Sequence, residues 1–519
     1  ACQYILLACL NNIYFMSDEL HTIVKLRYTK REGEKKPKEN KQPAEEWHKF
    51  VGHHDELSRL ISLKYASHAK KSHIFPVDID FPLPNEIEGS DKRTNKALKY
   101  EVPKELSLRR QPTFLIGEVL RCDEVLRNYK KYIGKDIVVA GWANSTRLQG
   151  KDTLIFVELM DGTSPNPIQV VITDKVSNWE EVKKAKKAYS FRIRGKLIES
   201  LGGGQAIELN VSGEGEQFVK ILGKCDDKKY PLGGYKFTNE FLRDIAHLRI
   251  RTRINGAVAR VKNSLAYSTH LFFQNNGFNY VKTPIITTSD CEGAGEMFQV
   301  TTVLPQTGLI KDIPHTPDGK IDYSQEFFKK SANLTVSGQL AVENYACALS
   351  NVYTFGPTFR AEVSHTTRHI AEFWMIEPEI CFADVYDVID CAEAYVKYCI
   401  DFILNNNVED LKFLDEHVKK GPVDYLKHIV AGPFARSSYT QAIEILKKVI
   451  AKGVKFENEV EWGIDLASEH EKYLCDHVFH RPTILYNYPK DIKAFYMRLN
   501  DDGKTVASFD VLAPEVITY

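Results

Sequence analysis

Two hydrophobic periods divide this chain. Between Phe114 and Gly223, apolar and polar residues alternate in short runs at Ile137–Trp142, Thr153–Leu159, Ile168–Ile172, Tyr189–Arg194 and Ala206–Val211. Alternation of this kind predicts half-buried strands. Asp161-Gly162 and the run Leu201–Gly204 supply turns, and a helix is predicted between the third and fourth strands, over Trp179–Lys187. Five short strands with one interposed helix fit a small closed barrel of the OB type. After Ile254 the period lengthens: Val258, Val261, Leu265 and Phe272 fall on one face of a helix predicted over Ile254–Asn276. Asn276-Gly277 closes that helix, and the strand expected next carries Pro284. Helical and mainly antiparallel strand patterns then alternate, so the fold class is α+β.

The flanks are less regular. Residues 1–112 form an N-terminal extension, 113–225 the barrel, 226–240 a hinge around Tyr230-Pro231 and Gly233-Gly234, and 241–519 the larger domain. Within the extension, Lys25–Lys41 is charged and aperiodic, as in disordered segments or polycationic arms that touch RNA phosphates. A helix with an apolar stripe is expected over Glu45–Lys71. The first fifteen residues are mostly apolar but far too short to span a bilayer, and Met16 is the expected start, with an organelle presequence as the alternative.

Composition narrows the classes. Lysine plus arginine equals aspartate plus glutamate at 69 each, so any nucleic-acid surface is local rather than global. The ten cysteines include no Cys-x-x-Cys pair, which argues against a zinc site and a disulfide framework and for reduced thiols. The expected location is the cytoplasm, with mitochondrion or plastid as alternatives, and no membrane partner is expected.

The chemistry centres on Phe359-Arg360-Ala361-Glu362, followed by Arg368-His369 and Phe373. An arginine and a glutamate two apart on a strand share a face. With a nearby aromatic they suit a nucleotide: guanidinium for phosphate, carboxylate for an adenine amino group, ring for stacking. The run Tyr353–Glu379 resembles the second signature motif of class II aminoacyl-tRNA synthetases, and from Phe114 to Val516 the chain is similar to the asparaginyl-tRNA synthetase family.

That resemblance implies ATP with Mg2+, asparagine, tRNA(Asn) and a homodimer. Arg360 would bridge the attacking carboxylate and the α-phosphate, Glu362 would accept from adenine, Phe373 would lie under the purine, and Arg368 and His369 would steady the outer phosphates. Glu292 matches the residue that receives the substrate ammonium, and Gln339 lies in the floor of the amino-acid pocket. Aspartyl relatives carry a lysine three places after that glutamine; here Val342 stands there, and Glu343 follows to accept from an amide and repel a carboxylate. In the barrel, Phe156 would stack on the central anticodon base, Gln169 would bond its edge and Arg147 would hold phosphate or base. Asp510 sits where the family places a magnesium carboxylate, and Pro284 where it builds the dimer.

The family pattern continues after Val516 with Gly-Glu, a Gly-Gly-Ser turn and a third signature motif, whereas this sequence reads Ile517-Thr518-Tyr519. On that pattern the 519-residue chain is expected to be inactive as it stands. The rivals are an aspartyl or non-discriminating synthetase, which Val342 and Glu343 disfavour, a binding module that has lost catalysis, and an asparagine-making relative, which the barrel disfavours.

Overall fold

A computed structural model describes residues 118–200, 202–234, 237–291, 296–363 and 370–513. The N-terminal extension, with its arm and its expected helix, lies outside these residues.

The alternating runs do form strands. They are β1 (Val119–Leu120), β2 (Asp136–Gln149), β3 (Leu154–Met160), β4 (Ile168–Thr173), β5 (Ser190–Glu199), β6 (Ile207–Val211) and β7 (Phe218–Gly223). Hydrogen bonds run β2-β3-β4-β6-β5 and return from β5 to β2, closing a five-stranded barrel with β1 and β7 at its margins. β2 serves two partners by bending where it passes from β5 to β3, between Ala143 and Ser145. Gly141 permits the close approach: a Cβ there would stand 2.5 Å from the Met160 carbonyl oxygen. Ile155, Val157 and Leu159 fill the barrel with Val139, Val170, Ile193 and Leu209. The helix after β4 is shorter than expected, Trp179–Val182. Ala188, at φ 65°, donates its N–H to Ala143 and returns the chain to the barrel early.

The larger domain starts with α1 (Arg253–Asn275). Thr252 caps it by accepting from the Asn255 N–H, and Gly277 at φ 81° ends it, with the Phe278 N–H reaching back to Phe273 O. Its predicted face is buried: Val258, Val261, Leu265 and Phe272 all join one core. There follow β8 (Asn279–Tyr280), β9 (Ile286–Thr287), β10 (Gln299–Val300), β11 (Ala332–Leu334), α2 (Gln339–Leu349), β12 (Asn351–Phe359) and β13 (Glu372–Ile380). Pro284 was expected on a strand; it lies instead in the exposed link between β8 and β9. With no N–H to give a ladder, proline suits such a link.

Much of the stretch 405–436 is part of the core. Helices α3 (Val385–Asn406), α4 (Val408–His417) and α5 (Pro422–Ala431) pack Ile389, Tyr395, Phe402, Leu411, Leu414, Leu426 and Ile429 against α1. α4 also braces the barrel. Buried Asp410 accepts from Arg260 Nε and Nη2 at 2.9 and 2.8 Å, and Arg260 Nη1 donates to Gly162 O at 2.6 Å. Arg253 donates to Pro165 O and lies 4.4 Å from the Phe413 ring centroid. A last sheet joins β14 (Ala435–Ser438), β15 (Thr483–Pro489) and β16 (Thr505–Leu512), with α6 (Tyr439–Ala451) beside it.

Phe273 ties α1 to both β12 and α3: it is 1 % exposed and stacks on Tyr353 and Tyr395, ring centroids 4.7 and 5.1 Å away. Phe273→Ala is expected to cost about 3–5 kcal/mol; urea denaturation measures it.

Candidate active site

β12 and β13 pair antiparallel through nine consecutive positions, from Asn351↔Ile380 to Phe359↔Glu372. Directly paired residues share a face. On one side Tyr353, Phe355, Ile376 and Ile380 turn into the core. On the other stand Val352, Thr354, Gly356 and Thr358 opposite Glu379, Glu377, Met375 and Phe373. Gly356 leaves this second face open: a Cβ there would meet no atom within 4 Å. The hairpin thus floors a groove with an aromatic at one end and two acids at the other.

Arg360 and Glu362 were expected on the strand, but β12 ends at Phe359. The Arg360 N–H still donates to Ala371 O at 3.0 Å, whereas the Ala361 N–H turns to Glu296 O at 2.8 Å and draws the chain off the ladder. Arg360 therefore prolongs the row of Thr354, Gly356 and Thr358, and its guanidinium lies 5.5 Å from the Phe373 ring centroid. Glu362 lies beyond the turn and is exposed. Cation and ring meet as the sequence implied, one residue past the strand rather than on it. Arg368, His369 and Glu292 lie outside the described residues.

The acidic end is built by the turn into α2. Ser337 Oγ donates to Glu377, and the Gly338 N–H donates to both Glu377 oxygens at 3.1 and 3.0 Å. Gly338 is confined: a Cβ would stand 2.6 Å from Thr283 Oγ1, 2.9 Å from Thr354 Cγ2 and 3.0 Å from Glu377 Oε2. Gln339 opens the helix and donates from Nε2 to Glu343 Oε1 at 2.9 Å. Four residues apart, the two side chains are helix neighbours. Val342, where aspartyl relatives carry a lysine, packs inward. It is fully buried with Val281, Ala346 and Val352, so its side chain belongs to a small core rather than to the pocket. Glu379 is driven by burial, and by the charges of Glu343 and Glu377, up to about 7.

Asp510 stands on β16. Its carboxylate accepts from Lys493 Nζ at 2.8 Å, and that ammonium lies 3.9 Å from the Tyr488 ring centroid. Among the described residues no three His, Cys, Asp or Glu side chains gather as a metal site. Mg2+ that travels with ATP takes one or two carboxylates and the phosphates themselves, and Asp510 is one hard oxygen donor, bonded here to Lys493.

On the barrel, outward residues line up across strands. Arg147 pairs with Phe156, Phe156 with Val171 and Val171 with Asn210; in the next row Ser145, Glu158, Gln169 and Glu208 stand in line. Phe156 is half-buried between the core positions Ile155 and Val157, so it points away from the barrel interior. Arg147 lies 5.3 Å from its ring centroid. Gln169 Nε2 points at Glu208 Oε2, 3.5 Å away. Arg147, Phe156 and Gln169 thus share one outer surface, remote in sequence from the groove.

Sequence reasoning assigned nothing to Ser337, Gly338, Glu377 or Glu379. The signal for the last two was present, because they lie four and six residues after Phe373 and a strand's period of two puts all three on one face.

The family model described as tRNA synthetases class II (D, K and N) matches residues 238–517. The domain that carries the groove is therefore a class II synthetase domain. The asparagine–tRNA ligase of Protochlamydia amoebophila is 50% identical over 385 residues, covering 74% of this chain and 79% of its own length. That of Shewanella amazonensis is 51% identical over 385 residues, 74% of this chain and 80% of its own. The asparaginyl-tRNA synthetase of Pyrococcus horikoshii, solved in complex with asparaginyl-adenylate, superposes with a TM-score of 0.62 at 28% identity, over 78% of this chain and 82% of that one. The chain belongs to the asparagine–tRNA ligase family of class II aminoacyl-tRNA synthetases.

Two substitutions probe the acidic end. Gly338→Ala is expected to destabilise by about 1–3 kcal/mol in urea denaturation, because the added methyl group has no room. For Glu379→Gln the effect depends on pH. The folded carboxyl keeps its proton to about 7, whereas its ordinary value is 4.5, so the native protein loses stability as pH rises through that window. The melting temperature of Glu379→Gln relative to wild type should therefore climb between those two values and level off above them.

Proposed function

We propose that this protein activates asparagine with ATP, forming asparaginyl-adenylate and releasing pyrophosphate, and then passes the asparaginyl group to tRNA(Asn). The observation that carries the reading is the single face of the β12–β13 hairpin, which offers a cation and an aromatic at one end and hydrogen-bonded acids at the other. A molecule with a purine, a phosphate and an amide side chain matches that order. The family membership and the asparaginyl-adenylate bound by the Pyrococcus horikoshii relative support the reading.

Arg360 is the residue on which the first step turns. The amino-acid carboxylate attacks the α-phosphorus, the bond to the bridging oxygen of pyrophosphate breaks, and negative charge spreads over the phosphoryl oxygens. A planar guanidinium bonds to the incoming carboxylate and a phosphate oxygen at once, holding two anions together while they react. Phe373 stacks on the purine and Glu362 accepts from its amino group. Arg368 and His369 bind the outer phosphates. Glu292 receives the ammonium; at the acidic end Gln339 lines the floor and Glu343 accepts from the amide NH2. Asp510 would offer an oxygen ligand to the Mg2+ that accompanies ATP, and the ion would offset charge on the phosphates.

Arg147, Phe156 and Gln169 grip the anticodon, with Phe156 as the stacking anchor, a contact typically worth about 1–3 kcal/mol. The exposed link with Pro284, flanked by exposed Tyr280, Ile285 and Ile286, forms the two-fold interface of a homodimer. Every described cysteine is a free thiol, which suits a reducing cytoplasm. No helix among the described residues is long and apolar enough to cross a membrane.

Asparagine-dependent exchange of pyrophosphate into ATP tests the reading. In a chain continued through the family's third signature motif, exchange is expected with asparagine well above aspartate. Arg360→Gln should lower the rate by about 100- to 1,000-fold or more while the protein stays folded by circular dichroism. Exchange that persists in Arg360→Gln, or that aspartate drives as well as asparagine, would overturn the assignment.

A further inference from the structure

Three carboxylates crowd one end of the groove, and their surroundings differ. Glu377 takes donors from Ser337 and the Gly338 backbone, and Glu343 takes the Gln339 amide. Among the described residues no donor reaches Glu379. The charged groups that face it are Glu377 from its own strand and Glu343 from α2, while β12 presents Val352 opposite. Burial, then the charges of Glu343 and Glu377, push the Glu379 carboxyl up to about 7.

We propose that Glu379 is a specificity-determining residue: its carboxylate, when ionised, adds a negative charge behind Glu343 and strengthens the rejection of a carboxylate side chain in favour of the matching amide. The proposal rests on the reading that asparagine occupies this end of the groove. Asparagine and aspartate differ little in shape, so size cannot separate them well. They differ by a full charge, and charge acts over the distance between neighbouring side chains. One more anion several ångströms away, at the effective dielectric constant of a partly buried site, changes a binding ratio by roughly tenfold or more. The direction follows from the proton. Below the midpoint Glu379 is neutral, and only Glu343 and Glu377 repel an incoming carboxylate. Above it Glu379 joins them, and aspartate is refused more strongly while asparagine feels little change.

The test uses the full chain with the stable mimics asparaginyl-sulfamoyladenosine and aspartyl-sulfamoyladenosine, their affinities measured by calorimetry at about pH 6 and about pH 8, a unit either side of the midpoint. Wild type should favour the asparaginyl mimic at both, with a preference roughly tenfold larger at the higher pH. Glu379→Gln should show the smaller preference at both. An infrared band of a protonated carboxyl, present in wild type at the lower pH and removed by Glu379→Gln, should accompany this; its absence would count against the proposal even if the variant folds poorly. A preference that ignores pH in wild type, or that changes equally in Glu379→Gln, overturns the role of Glu379 alone. Equal binding of the two mimics throughout overturns the asparagine reading with it.

Discussion

The register between β12 and β13 is the constraint on which the site depends. Nine antiparallel pairs without a bulge put Phe373, Met375, Glu377 and Glu379 on one face and Ile376 and Ile380 on the other. A slip by a single residue would exchange the two sets, burying carboxylates against Phe273 and exposing the apolar row. That cost is what fixes the register. The hydrophobic core under the hairpin thus orders the groove above it. The short helix start at Ser337–Gln339 then reads the register from above, since Gly338 fits only where Glu377 and Thr354 stand as they do.

A second constraint couples the two halves of the chain. Arg253 and Arg260 leave α1 for the loop between β3 and β4, and Asp410 holds Arg260 from the far side. Buried and bonded through two nitrogens, this pair costs far more to break than an exposed ion pair. It holds the barrel's loop on the same helix whose other face packs beneath the hairpin. An anticodon surface and an active-site groove carried on separate domains need such a shared element if binding at one is to place the RNA end at the other.

Much of this was legible in the sequence, for identifiable reasons. The barrel strands announced themselves by a period of two, and α1 by Val258, Val261, Leu265 and Phe272, because burial on one side imposes those periods directly. Arg360 and Phe373 were legible as partners because their chemistry and spacing are specific. What failed involved backbone turns set by distant atoms. Nothing local to Arg360 signals that Ala361 will bond to Glu296, and nothing local to Lys183–Lys187 signals that Ala188 will reach for Ala143. β7 pairs with β5 without a strong alternation of its own, so its half-exposed pattern did not stand out.

The central claim is that one face of the β12–β13 hairpin holds the adenylate from ring to amide. A crystal structure of the full chain with asparaginyl-sulfamoyladenosine tests it most directly. The account predicts the purine against Phe373, the sulfamoyl group beside the Arg360 guanidinium, and the amide at Glu343 over the open space at Gly356. A mimic bound with its ring at the acidic end, or away from this hairpin altogether, would contradict it.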